Sequence, residues 1–221
     1  MLINRDTGEI FVYGPIGDSF WEEGITDSLF IQALDALGGK RATVRINSPG
    51  GVADQGIAIY NILKRYRGGV DTVVDSIAAS AASVIALAGE KRTTSAGGKW
   101  MIHQALMLAI GNSSDMRKAA EVLDTYDASI VEIYSSYITS GIDIKAAMAE
   151  ETWFTADASI EAGLSTGKGD PSTQEPAIAN WYRNAPTAVL SSKSPVIVPK
   201  FAVHRQAAEI KNRAAQLQFV K

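Results

Sequence analysis

Residues 9–14, Glu-Ile-Phe-Val-Tyr-Gly, form an apolar run of β-branched and aromatic residues closed by Gly14-Pro15, which reads as a strand. The period then lengthens. Phe30, Ala33, Leu34 and Leu37 recur at helical spacing, so a helix is expected over about 27–37, capped by Thr26 or Asp27 and stopped by Gly38-Gly39. A second strand follows at 42–46, then Asn47-Ser48-Pro49-Gly50-Gly51, then a helix over about 53–66 with Ile59, Tyr60 and Leu63 on its core face. Val70 to Ile77 is the next strand, and a helix of small residues follows from about Ser80 to Ala88. Strand and helix in that order imply βαβ units and a largely parallel sheet, an α/β fold.

Downstream, Trp100 to Gln104 reads as a short strand. Asn112 to Asp115 caps a long helix expected to reach about Ser140, before Gly141. Met116, Ala119, Leu123, Tyr126, Ile130, Ile133 and Tyr137 mark its apolar stripe, and at 1.5 Å per residue it spans roughly 40 Å, long enough to project toward a partner. Shorter helices are expected at about 143–149 and 156–163. After Gly163 the pattern decays into Gly, Ser and Pro. The expected division is a folded domain over 1–165 and an extension over 166–221, irregular to 203 with a short helix near 204–218.

Composition narrows the chemistry. There is no cysteine, which excludes disulfides and thiolate nucleophiles, and the two histidines nearly exclude a multi-histidine metal site. No apolar run approaches membrane-span length, and the first residues hold no signal-length apolar stretch. A net charge of −3 argues against nucleic acid as main partner, so neither nucleic acid nor membrane is expected. Charge is uneven, however. From Lys193 onward six basic residues stand against Glu209 alone, leaving 15 basic and 23 acidic groups on the first 192 residues.

Two strand-to-helix turns carry candidate chemistry. Gly50 and Gly51 allow backbone amides to approach a ligand closely, although the same run serves as a plain turn and cap. In Ala78-Ala79-Ser80-Ala81-Ala82-Ser83, Ser80 is either an N-cap or a nucleophile whose oxyanion the Ala81 amide can meet, with Ser83 as the competing serine. His103 is the better general-base candidate, since His204 lies in the basic tail.

Together these pieces resemble the Clp-type peptidase subunits. Their Tyr-Ile-Asn-Ser-Pro-Gly-Gly run is similar to Arg45 to Gly51, their Ala-Ala-Ser to Ala78 to Ser80, and their Ala-Gly to Ala88-Gly89. Their Met-Ile-His-Gln is similar to Met101 to Gln104, and their Asp-x-Phe-Met-Ser-Ala followed by Gly-Leu to Glu151 to Ala156 and Gly163-Leu164. The resemblance spans about residues 9–165. It implies a crotonase-like spiral of βαβ units with the long helix projecting, and a serine endopeptidase of cofactor-free acyl-enzyme chemistry. Ser80 would be the nucleophile, His103 the base, Gly51 and Ala81 the oxyanion-hole amides and Glu151 the third triad member, with Thr152 and Glu150 as rivals for that last role. The implied partners are a protein or peptide substrate and further copies in a homo-oligomeric ring.

Four departures qualify the resemblance. Glu151 stands where the family has aspartate. Ser76 replaces a glycine, and Ala81-Ala82 replace Met-Gly. The chain starts almost at its first strand, so an unfoldase ATPase is a doubtful partner, and the tail has no counterpart. This variety resembles the Clp-related maturation peptidases of tailed-phage heads, which implies capsid proteins as partners and the host cytoplasm or prohead as location. Three other readings remain: an inactive assembly scaffold, a crotonase-type acyl-CoA enzyme sharing the paired oxyanion amides, and a Ser-Lys dyad using Lys91 or Lys99.

Overall fold

A computed structural model describes residues 1–18, 23–139 and 141–169; the expected tail helix at 204–218, His204 and most of the irregular stretch lie outside the described residues. Three parallel strands form its centre: β2 (Glu9–Tyr13), β3 (Ala42–Ser48) and β4 (Val70–Ala79). The first crossover contains α1 (Asp27–Leu37) and the second is α2 (Ala53–Lys64). β1 (Leu2–Asn4) adds an antiparallel edge to β2. Helix α1 keeps the bounds that its periodicity predicts. The Thr26 hydroxyl accepts the Leu29 amide at its start, and Gly38 takes the left-handed conformation at its end.

Alternation in β3 decides which face is covered. Ala42, Val44, Ile46 and Ser48 are buried, and the first three, with Ile10, Val12 and Val74, join Phe30, Leu34 and Leu37 of α1 and Ile59 and Leu63 of α2 in the core. Each large aliphatic side chain buried there contributes about 1.5–3 kcal/mol. On the opposite face Arg45 bridges Asp75 and Glu9, so the charges it shelters are paired.

At β4 the sheet forks. Thr72 to Val74 pair with β5 (Arg92–Thr94), while Ile77 to Ala79 pair with β6 (Lys99–Ile102), both in parallel. A register irregularity between Ile46 and Ser48 of β3 accompanies the change. Between β4 and β5 lies α3 (Ala81–Ala86), buried along its whole length. Beyond β6 come α4 (Ser113–Ser135), α5 (Ile144–Ala149), β7 (Thr152–Thr155) and α6 (Ala156–Glu161). β7 pairs antiparallel with β6, and β8 (Gly167–Lys168) pairs with β5, so the first residues expected to be irregular extend the sheet instead.

Helix α4 opens with the expected cap: the Asn112 side chain accepts the Ser114 and Asp115 amides, and Asp115 accepts the Asn112 amide. It ends earlier than the stripe predicted. Tyr134 and Ile138 turn into the core, and the Thr139 amide donates to the Ala162 carbonyl, which draws the chain off the helix axis. Every residue of 113–118 is exposed, so the first turns project. Among the described residues no helix is long and apolar enough to cross a membrane.

Candidate active site

The turn after β3 is laid directly against the turn after β4. Gly50 has φ 91°, and a Cβ there would stand 2.7 Å from the Ser80 Cβ and 3.0 Å from the Ala81 nitrogen. At Gly51 a side chain would overlap the Ile16 carbonyl oxygen. The loop is also tied down, with Ile16 donating to the Gly50 carbonyl at 2.9 Å and Val52 to Ile16 at 2.8 Å. Only glycines fit this approach. The amides of Gly51 and Ala81 donate to no protein acceptor among the described residues.

Ser80 sits at that contact with φ 54° and ψ −128°, a backbone that costs a non-glycine residue about 1–3 kcal/mol. Although it holds the N-cap position of α3, its hydroxyl makes no capping bond. Instead its Oγ lies 2.7 Å from His103 Nε2, and its amide donates to the Met101 carbonyl at 2.9 Å. Ser83 is engaged elsewhere: buried, it donates to the Ser80 carbonyl and meets the Tyr134 hydroxyl, both at 2.6 Å. Burial raises the Tyr134 phenol above its ordinary range.

His103 follows the last residue of β6, whose pairing with β4 brings it beside Ser80. The segment after it is held from two sides. Gln104 donates its amide to the Met148 carbonyl at 3.2 Å, and Ala105 donates to Asp127 Oδ1 at 2.7 Å. Neither Asp127 nor Tyr134 stands out in the sequence, since one is an acid among several in α4 and the other lies off the apolar stripe.

Glu151 is near His103 in backbone but not in hydrogen bonding. The β6–β7 ladder pairs Met101 with Trp153 and ends at Ile102 with Thr152, so His103 and Glu151 are the residues next to its last pair. Glu151 has φ 50°, however, and its exposed carboxylate accepts from Trp153 Nε1 at 3.2 Å. No hydrogen bond joins it to His103, and no protein group among the described residues hydrogen-bonds His103 Nδ1. Thr152 donates its hydroxyl to the Ala147 carbonyl at 2.7 Å, and Glu150 is exposed. The Lys99 ammonium donates to the Gly97 carbonyl, so it makes no dyad with Ser80, and neither does Lys91.

Ser80, His103, Gly51 and Ala81 share the wall of an open cleft of about 620 Å³. Leu123, Tyr126, Ile130 and Tyr134 of α4 line its far side, a register one step from the expected stripe at its C-terminal end. Among the described residues no three His, Asp or Glu side chains gather as a metal site. A serine hydroxyl in contact with an imidazole, beside two unengaged amides, has the parts for acyl transfer through a tetrahedral intermediate.

Comparison with known proteins agrees in extent with the folded region. The family model for Clp protease matches residues 3–166. The ATP-dependent Clp protease proteolytic subunit 1 of Protochlamydia amoebophila is 31% identical over 165 residues, covering 72% of this chain and 79% of that protein. The ATP-dependent Clp protease proteolytic subunit of Ligilactobacillus salivarius is 34% identical over 163 residues, covering 72% and 81%. Among solved structures, a ClpP1 mutant from Listeria monocytogenes superposes with a TM-score of 0.63 at 21% identity, over 75% of this chain and 93% of that one. At that identity the likeness is one of fold.

Proposed function

The chain belongs to the Clp protease family, and from that premise we propose that it is a serine endopeptidase with Ser80 as nucleophile and His103 as general base. The observation that carries the residue assignment is the 2.7 Å separation of Ser80 Oγ and His103 Nε2 at a left-handed turn. In this reading Ser80 attacks the scissile carbonyl while His103 Nε2 accepts its proton and passes it to the leaving amine. The Gly51 and Ala81 amides donate to the oxyanion. Water, deprotonated by His103, then releases the acyl group.

Glu151 is the group we assign to orient the imidazole, supported by the resemblance of its position and by its place beside the last pair of the β6–β7 ladder, where His103 also follows. Its carboxylate must leave the Trp153 indole to do so. The same proposal includes a homo-oligomeric ring, a location in the cytoplasm, and maturation of tailed-phage capsid proteins as the natural task. What supports the last is the resemblance of the sequence together with a basic C-terminal stretch beyond the matched residues.

The test is covalent labelling by a fluorophosphonate, with the modified residue mapped by mass spectrometry. Wild type is expected to carry one adduct, on Ser80, and the Ser80→Ala variant none. Equal labelling of the two overturns the assignment.

A further inference from the structure

Of the described residues lining the cleft, Asp54 alone brings a carboxylate. We propose that it makes the enzyme select substrates with a lysine or arginine close to the scissile bond, an inference that rests on the peptidase reading above. Asp54 is the second residue of α2, three positions after Gly51, and it shares the cleft with Ser80 and His103. Its only hydrogen-bond partner among the described residues is the Tyr126 hydroxyl of α4, which donates to Oδ2 at 2.7 Å. That bond and the carboxylate's charge raise the Tyr126 phenol above its ordinary value. No described Lys, Arg or His forms an ion pair with Asp54.

An acid in the first turn of a helix is favoured by the helix dipole wherever its side chain points. The bond to Tyr126 is what fixes this one at the cleft. A carboxylate has about four lone-pair sites, and Tyr126 fills one. The neighbouring walls, Ile57, Val84, Leu123 and Ile130, are apolar and donate nothing. They suit the aliphatic stem of a lysine or arginine whose charged head reaches Asp54. Glutamate or aspartate in the same position would meet a like charge.

Because Asp54 is exposed, the preference is that of a solvated pair, roughly two- to five-fold in kcat/KM, and it shrinks as salt is raised. The experiment compares matched peptides bearing Lys, Gln or Glu at each position flanking the scissile bond. Each protein is read as its own Lys-to-Glu ratio of kcat/KM, so a general loss of activity cancels. Wild type is expected to favour Lys at one position, Asp54→Asn to abolish that preference, and Asp54→Lys to reverse it toward Glu. Fluorophosphonate labelling of wild type runs in parallel. A labelled Ser80 with a charge-indifferent profile, or a wild-type preference kept in Asp54→Asn, overturns this inference alone. If Ser80 is not labelled and no peptide is cut, the peptidase reading falls and this inference with it.

Discussion

Ser80 and Ser83 stand three residues apart in a run of alanines, and their hydroxyls have different surroundings. One touches an imidazole; the other is enclosed between a carbonyl and a phenol. Ser83→Ala should therefore cost stability rather than chemistry. It leaves the buried Tyr134 hydroxyl without its partner, worth about 1–3 kcal/mol in a denaturant melt, while fluorophosphonate labelling of Ser80 persists. The competition between the two was legible in the sequence but its resolution was not, because Tyr134 arrives from 51 residues away. Glu151 is the converse case: family spacing picks it out, and the structure turns its carboxylate to Trp153. Glu151→Gln is expected to lower kcat/KM at least tenfold, below the roughly 10⁴ seen when a serine protease loses a buried triad acid. Thr152→Val should instead cost about 1 kcal/mol of stability through the Ala147 bond and leave the rate nearly unchanged. A large rate loss confined to Thr152→Val would move the orienting role to that residue.

Among the elements, those with several turns or rungs could be read in advance, as the bounds of α1 show. β1 and β5, of three residues each, were missed because so short a run has no period to detect, and β7 was missed although β6, of the same four-residue length, was expected. They are strands because neighbours complete them. Behind β6 a buried polar chain does part of that work: Trp100 Nε1 donates to Thr94 Oγ1 at 2.9 Å, Thr94 meets Ser165 at 2.6 Å, and Ser159 donates to Ser165 at 3.0 Å. Thr94→Val keeps the shape and removes the hydroxyl, stranding the indole N–H. The expected cost is about 1–3 kcal/mol. Thermal unfolding should fall by roughly 2–4 °C for each of those kilocalories, the scale for a domain of this size. Labelling of Ser80 in the folded fraction should match wild type, and a loss of labelling without a loss of stability would show that the network positions His103 instead.

For the molecule as a whole, strand and helix alternation was enough to announce a parallel α/β sheet, but not the fork at β4, since pairing partners leave no mark on periodicity. Exposure was equally hidden. Leu106, Leu108 and Ile110, at 78%, 91% and 92%, place an apolar segment in the open between β6 and α4. Such a surface calls for a cover. Light scattering is expected to find an oligomer, and Leu108→Glu with Ile110→Glu to reduce its mass; wild type that stays monomeric across micromolar concentrations contradicts the ring. The fork also sets an order in time. Chains leave the ribosome N-terminus first, so Ser80 emerges well before Met101, whose carbonyl holds its amide, and before the imidazole at His103. Until β6 has docked on the second half of β4, a nascent chain carries the serine without its fixed turn or its base. The proposed nucleophile is thus unarmed when it first emerges, and it is completed only by a strand made later.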